Sequence, residues 1–396
     1  MMLSKSRMHI LRAPWRTSTA IVLVALNLRP AVVGVGPLLP EIRIELSMSA
    51  TAGGLLTALP VLCFGLLAPV APRLARLVGL ERALFGVLTM IAAGCLLRML
   101  PGQVTLYVGT VVIGAAIASG NVLLPAMIKR DFTHNLGKMT AVYSAAISLG
   151  GGLGAAVTVP LADAAGLGWH AALGAWALWA GLGIICWIPQ LQRAGKRTSH
   201  GPRVGSIARR ALAWHVAGYM GLQSLGFYAG SAWFAEIFMD RGWSPTLAGV
   251  LVSIVSVSGL VGSIVTPILA TRAKDQRILA LLVTAVGFLG VSLMLAPGLE
   301  VFASIVTGLG SGAALGLALT YIGLRSYDSH HAAQLSGMAQ CVGYTLAAAG
   351  PFIVGAMHDV SGGWTAPLLA LLLLFIPQAV FSYLAGRNQV VEPRII

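Results

Sequence analysis

Charge is what this chain has least of. Only 10% of its 396 residues are Asp, Glu, Lys or Arg, against 57% hydrophobic residues and a mean hydropathy of +0.85. So few charges cannot cover the surface of a soluble protein of this length, so the composition predicts a polytopic membrane protein. Acid is scarcest: 12 Asp and Glu face 26 Lys and Arg, and no acid falls deep in an apolar run. Cysteine is limited to Cys63, Cys95, Cys186 and Cys341, each inside an apolar run and none in a CxxC pair, so all four read as small buried hydrophobes. HExxH, Walker sequences and paired carboxylates within a span are lacking, which leaves no foothold for an enzyme, a cofactor or a metal centre.

What is present is a series of twelve apolar spans, near 17–39, 53–71, 83–100, 104–128, 140–161, 170–188, 213–238, 246–270, 278–296, 301–324, 336–357 and 366–384. With an even number of crossings, both chain ends fall on one side. If that side is cytoplasmic, 22 of the 26 basic residues lie in cytoplasmic segments, leaving Arg43, Arg98 and Arg241 near the outer face and Arg29 within the membrane. The net charge of +14 is then a topology signal, and nucleic acid is not expected as a partner. Lys5, Arg7, Arg12 and Arg16 resemble a signal-peptide n-region, but the run behind them is about 23 residues long without a small-residue cleavage site, and is expected to stay as a helix.

The longest loop, 190–210, is polar and basic without an acid, and reads as a flexible linker between residues 1–189 and 211–396. A shift of 195 residues aligns the two parts with thirteen identities over residues 41–89, among them Glu41 with Glu236, Pro72 with Pro267 and Arg82 with Arg277. Two six-span halves in parallel orientation follow, in an all-α membrane fold.

The first span carries the one expensive residue. Arg29 lies about twelve residues in, roughly 18 Å from the inner end, where a charge costs about 2.5–3.5 kcal/mol and by default faces a cavity or a partner. Its fork of donors suits a planar anion; a structural arginine, taken by carbonyls freed near Pro30, is the alternative. Arg98, close to the end of the third span, reads as a snorkelling interface anchor. Polar and aromatic residues at mid-span depth complete a candidate binding set: Asn27, Asn121, Tyr143, Gln223, Phe227, Tyr228, Ser231, Tyr321, Gln340 and Tyr344. For any one of these, an interhelical hydrogen bond is at least as good a reading. Glu41 and Glu236 sit at outer span ends, as gates or as caps, and His330 and His331 read as a solvated loop. Gly308, Gly312 and Gly316, like Gly150 and Gly154, have the spacing of close helix contacts.

Asn27-Leu28-Arg29-Pro30 followed by Gly36-Pro37-Leu38-Leu39-Pro40-Glu41-Ile42 resembles the cyanate/2-nitroimidazole transporter family (CynX/NimT) of the major facilitator superfamily. So do Leu55 to Pro60, Asn121 to Pro125, and Ser336 to Gln340 with Val342-Gly343-Tyr344; Lys129 to Phe132, Leu80-Glu81-Arg82 and Met357-His358-Asp359 are more similar to its 2-nitroimidazole exporter branch. The resemblance covers essentially the whole chain. It implies a monomeric transporter of a bacterial inner membrane, cycling by alternating access with a small-molecule or small-anion solute; with no carboxylate deep in a span, coupling to protons through a rim Glu and uncoupled facilitated diffusion both stay open. It also points to gating residues, for which Arg76, Arg82, Arg130 and Asp131 are the candidates beside Glu41 and Glu236. One departure stands out: Pro72 and Arg76 occupy the positions where the superfamily's second-to-third-span loop carries glycine and aspartate, so Glu81 or Asp131 would have to replace that acid.

The expected function is secondary active or facilitative transport of a small planar polar or anionic solute, either cyanate-like or nitroimidazole-like. A membrane-embedded solute sensor and a proton-coupled drug efflux pump of broader specificity, for instance an antiporter, remain open.

Overall fold

The computed structural model describes residues 14–48, 50–164, 168–192 and 207–391. Residues 193–206, most of the expected linker, lie outside the described residues. The described residues are overwhelmingly helical, as apolar spans must be where the bilayer offers no hydrogen bonds to the backbone.

The first span is broken into α1 (Pro14–Asn27), α2 (Pro30–Val33) and α3 (Val35–Glu45), and the second into α4 (Ala50–Leu67), a 3-10 turn (Ala68–Val70) and α5 (Ala71–Val78). The remaining spans are α6 (Leu80–Leu97), α7 (Gln103–Asp131), α8 (Leu136–Ala164), α9 (Gly168–Leu191), α10 (Ala211–Asp240), α11 (Pro245–Arg272), α12 (Arg277–Leu293), α13 (Glu300–Leu324), α14 (Ser329–Ser361) and α15 (Thr365–Ala385). Among the described residues ten segments are long and apolar enough to cross a membrane; α12 is apolar but 17 residues long, and α10 covers the expected span 213–238. Turns between spans are short and chemically marked. Gly79 and Gly102 take φ of +91° and +104° ahead of α6 and α7, and the Ser244 side chain accepts from the Leu247 N–H to start α11.

The break in the first span follows from Pro30. Proline offers no N–H to the carbonyl four residues back, so the Leu26 carbonyl loses its helical partner, and the chain bends at Leu28 and Arg29, where Arg29 has φ −121° and ψ −37°. α8 fills the bend with glycine. A Cβ on Gly150 would stand 2.6 Å from the Leu26 carbonyl oxygen, and one on Gly154 would stand 2.7 Å from the Pro30 Cα.

Spans one to six and seven to twelve meet along two seams, α4 and α7 against α14, and α8 against α11 and α13. Small residues let the backbones close up: Gly65 lies against Thr345, Gly337 against Ala68 and Pro72, Gly137 against Pro267 and Thr271, and Gly323 against Leu136. Among the described residues, the hydrogen bonds, ring contacts and glycine approaches that join the two sets run from mid-span to the end carrying the basic loops. That end is closed. The opposite end of α14 leaves Phe352 78% and Val360 90% exposed.

Candidate functional site

Arg29 stands in the break itself, half-buried. Its Nη1 donates to the Tyr228 hydroxyl of α10 at 3.2 Å, while its Nε has neither a partner nor contact with solvent. Among the described residues no carboxylate pairs with it. The guanidinium lies at a narrow cavity of about 10 Å³, to which Asn121, Tyr143, Gln340 and Tyr344 add polar groups and Ile147, Leu315 and Leu319 an apolar wall. These side chains come from α7, α8, α13 and α14, so both sets of spans contribute. Gln340 links the sets directly, its Nε2 donating to the Asn121 backbone carbonyl and to the Ser336 hydroxyl, both at 2.8 Å. Tyr344 packs edge-on against Phe64 at 5.4 Å and Tyr228 at 6.2 Å, giving the cavity an aromatic margin.

The expected residues divide at this point. Arg29, Asn121, Tyr143, Gln340 and Tyr344 are brought together, with Tyr228 touching the arginine. Gln223 donates to Ser224 and the Met220 carbonyl within its own helix, Phe227 stacks edge-on with Tyr228, and Ser231 donates to the Tyr228 carbonyl. Asn27 and Tyr321 go elsewhere. Asn27 donates to the Leu23 carbonyl and faces Gly183 of α9. The Tyr321 hydroxyl donates to the Ser382 carbonyl, and its ring lies between Tyr219 and Arg325, so its polarity serves packing within the last six spans. Phe64, Ile147, Leu315 and Leu319 were not singled out by the sequence. Only the four-residue spacing of Tyr143 with Ile147 and of Leu315 with Leu319 hints that they share faces.

Arg98 corrects the reading of an interface anchor. It is fully buried; Nε and Nη2 both donate to the Thr110 hydroxyl, at 3.1 and 2.9 Å, and Nη1 donates to the Ala31 carbonyl. Ala31 belongs to the short helix just past Arg29, so a second arginine holds the bend from behind. Gly94 and Gly109 bring α6 and α7 close enough for that reach.

The gating candidates lie at both ends. Arg130 bridges Glu81 at 2.7 Å and Asp131 at 2.6 Å, and the Trp187 indole donates to the Glu81 carbonyl, so the acid after the second span is tied within the first set of spans. Arg76 and Arg82 are exposed, as are Glu41 and Glu236. The doubled histidine is not a solvated loop. His331 is 3% exposed, and both its backbone N–H and its Nδ1 lie against the Asp328 carboxylate, at 2.9 and 2.7 Å. Burial pushes the Asp328 carboxyl upward, but those contacts and the neighbouring imidazoles outweigh it and hold the group below the usual carboxylate range. Lys129 and Arg76, from the first set of spans, face Asp328 and His330 across the closed seam. Among the described residues no cluster could hold a metal ion.

The Major Facilitator Superfamily model matches residues 21–351. This chain belongs to the major facilitator superfamily. Within that superfamily it is 40% identical over 375 residues to the 2-nitroimidazole transporter of Escherichia coli (strain K12), covering 93% of this chain and 95% of that protein. It is 33% identical over 352 residues to the cyanate transport protein CynX of the same organism, with 87% and 90% covered. The fold matches the crystal structure of the superfamily transporter FucP in the outward conformation with a TM-score of 0.75, at 11% identity, over 93% of this chain and 99% of that one. The expected family and fold are thus borne out, and the chain is a multi-pass membrane transporter rather than an enzyme.

Proposed function

We propose that this transporter moves a small planar solute with negative or partly negative oxygens, of the nitroimidazole or cyanate kind, across a bacterial inner membrane by alternating access. One observation carries the reading. A guanidinium at the break of the first span reaches the seam between the two sets of spans without a carboxylate partner, and its buried Nε, like Asn121 Nδ2 and Gln340 Oε1 beside the same narrow cavity, has no hydrogen-bond partner. A permanent charge in such a place is retained at a cost of about 2.5–3.5 kcal/mol, and an anionic or dipolar solute answers it. The closed basic-loop end and the weakly joined opposite end agree with a carrier that exposes this cavity to one side at a time.

Purified protein in proteoliposomes tests the reading. Saturable movement of a nitroheterocycle or a small anion is expected, together with loss of that movement in Arg29→Ala. Binding of the same solutes without movement would favour a sensor instead. An imposed pH gradient decides whether protons are coupled, since accumulation that ignores the gradient would dismiss the linkage.

A further inference from the structure

Three of the residues lining the Arg29 cavity each present a buried side-chain atom with no hydrogen-bond partner: Arg29 Nε, Asn121 Nδ2 and Gln340 Oε1. Two are donors and one is an acceptor. The orientation of the Gln340 amide is set by its surroundings, because its nitrogen faces the Asn121 backbone carbonyl, which can only accept, at 2.8 Å. Turning the amide over would set oxygen against oxygen. Oε1 is therefore the amide atom left without a partner beside the cavity, and it can be satisfied only by a donor.

The geometry points to Gln340 as the residue that selects the solute, by accepting a hydrogen bond from a ring N–H while Arg29 and Asn121 donate to the solute's oxygens. This deepens the transport reading above and rests on it. The solute class is then a flat heteroaromatic that carries both an oxygen-bearing acceptor group and an N–H. An anion with acceptors alone, of which cyanate is the smallest, leaves Oε1 buried and unmatched. An unmatched buried acceptor weakens binding by about five- to 150-fold, and a site built around such a bond rejects analogues lacking it more strongly than an apolar pocket rejects a missing methylene.

The experiment varies the ligand before the protein. Wild-type proteoliposomes are given 2-nitroimidazole, 1-methyl-2-nitroimidazole and cyanate, at a pH below the ionisation of the parent ring. The expected result is a KM for the N–H compound at least about fivefold below that of its N-methyl derivative, with cyanate failing to compete at matched concentration. In Gln340→Met the preference is expected to collapse to within about twofold, because Met matches Gln in length and has no amide acceptor, while the lost donation to the Asn121 carbonyl and the Ser336 hydroxyl affects both ring compounds alike. Saturable movement of both ring compounds with equal KM in the wild type would overturn the assignment to Gln340 while leaving the transport reading intact. An unchanged preference in folded Gln340→Met would also overturn it. Absence of both movement and binding of all three probes would overturn the transport reading and this inference with it. The wild-type comparison needs no mutant, so a Gln340 variant that fails to fold does not affect it.

Discussion

The Arg29 guanidinium and the Tyr228 hydroxyl meet at 3.2 Å, 199 positions apart in sequence, one on the first span and the other on the seventh. The bond ties the charge at the break of the first span to the last six spans. Tyr228→Phe removes the acceptor and nothing else, so it is expected to cost about 1 kcal/mol of interaction, roughly a fivefold change in KM, with the fold retained. Arg29→Lys keeps the charge but loses the fork, and should weaken solute binding by more than Tyr228→Phe does. Uptake kinetics in proteoliposomes check both, and unchanged kinetics in Arg29→Lys would remove the arginine from the site.

Arg98 tests whether the bend at Arg29 needs outside support. In Arg98→Met the Ala31 carbonyl is left buried without its donor, a loss of about 1–3 kcal/mol. Thermal unfolding in detergent reads this directly. If the arginine also positions Arg29, KM rises in the variant at temperatures where it is fully folded, while a merely structural role leaves KM unchanged.

Glycines separate into those that touch and those that do not. A Cβ on Gly312 would fall against the Gly259 backbone, whereas one on Gly86 meets nothing within 4 Å. Gly312→Ala is therefore expected to cost about 1–3 kcal/mol through forced backbone shifts. Gly86→Ala, in the interior of α6, should be neutral or stabilise by up to about 1 kcal/mol. A thermal-shift comparison of the two variants suffices, and equal melting temperatures would contradict the packing.

Acid should loosen the basic-loop end through Asp328. Its carboxyl lies below the usual range when folded, so the stability it supplies is present above the ordinary carboxylate pKa of about 3.9 and is lost as the pH falls through the lower folded value. The difference in melting temperature between wild type and Asp328→Asn should then be flat at neutral pH and shrink below about pH 4. The effect is modest, since half of the carboxylate side chain is exposed. A difference that persists unchanged to pH 3 would show that the carboxyl is not held by His331.

The spans were legible in the sequence because hydropathy over twenty residues is set by the bilayer and not by neighbours. The bend at Arg29 was half legible, since Pro30 announces a missing rung but not which way the chain turns. Direction is also why Asn27 and Asn121 looked alike: each is a lone asparagine at mid-depth, and only packing turns one toward Gly183 and the other to the cavity. Arg98 looked like an anchor because its position near a span end says nothing of Thr110, twelve residues away on the next helix. His331 was misread for a similar reason. The loop ends earlier than its polarity suggests, because Asp328 caps α14 and draws both histidines into the first turn.

The contact between α11 and α13 sets a limit on how this protein can work. The faces of Gly308 and Gly312 rest on the backbone carbonyls of Val255 and Gly259 with no room for a methyl group between them. Two rods seated this deeply cannot roll over one another, so any motion of α11 carries α13 with it, and with α13 the Leu315 and Leu319 wall of the cavity. A displacement of α11 at its Gly137 contact is therefore expected to shift Leu315 and Leu319 as well.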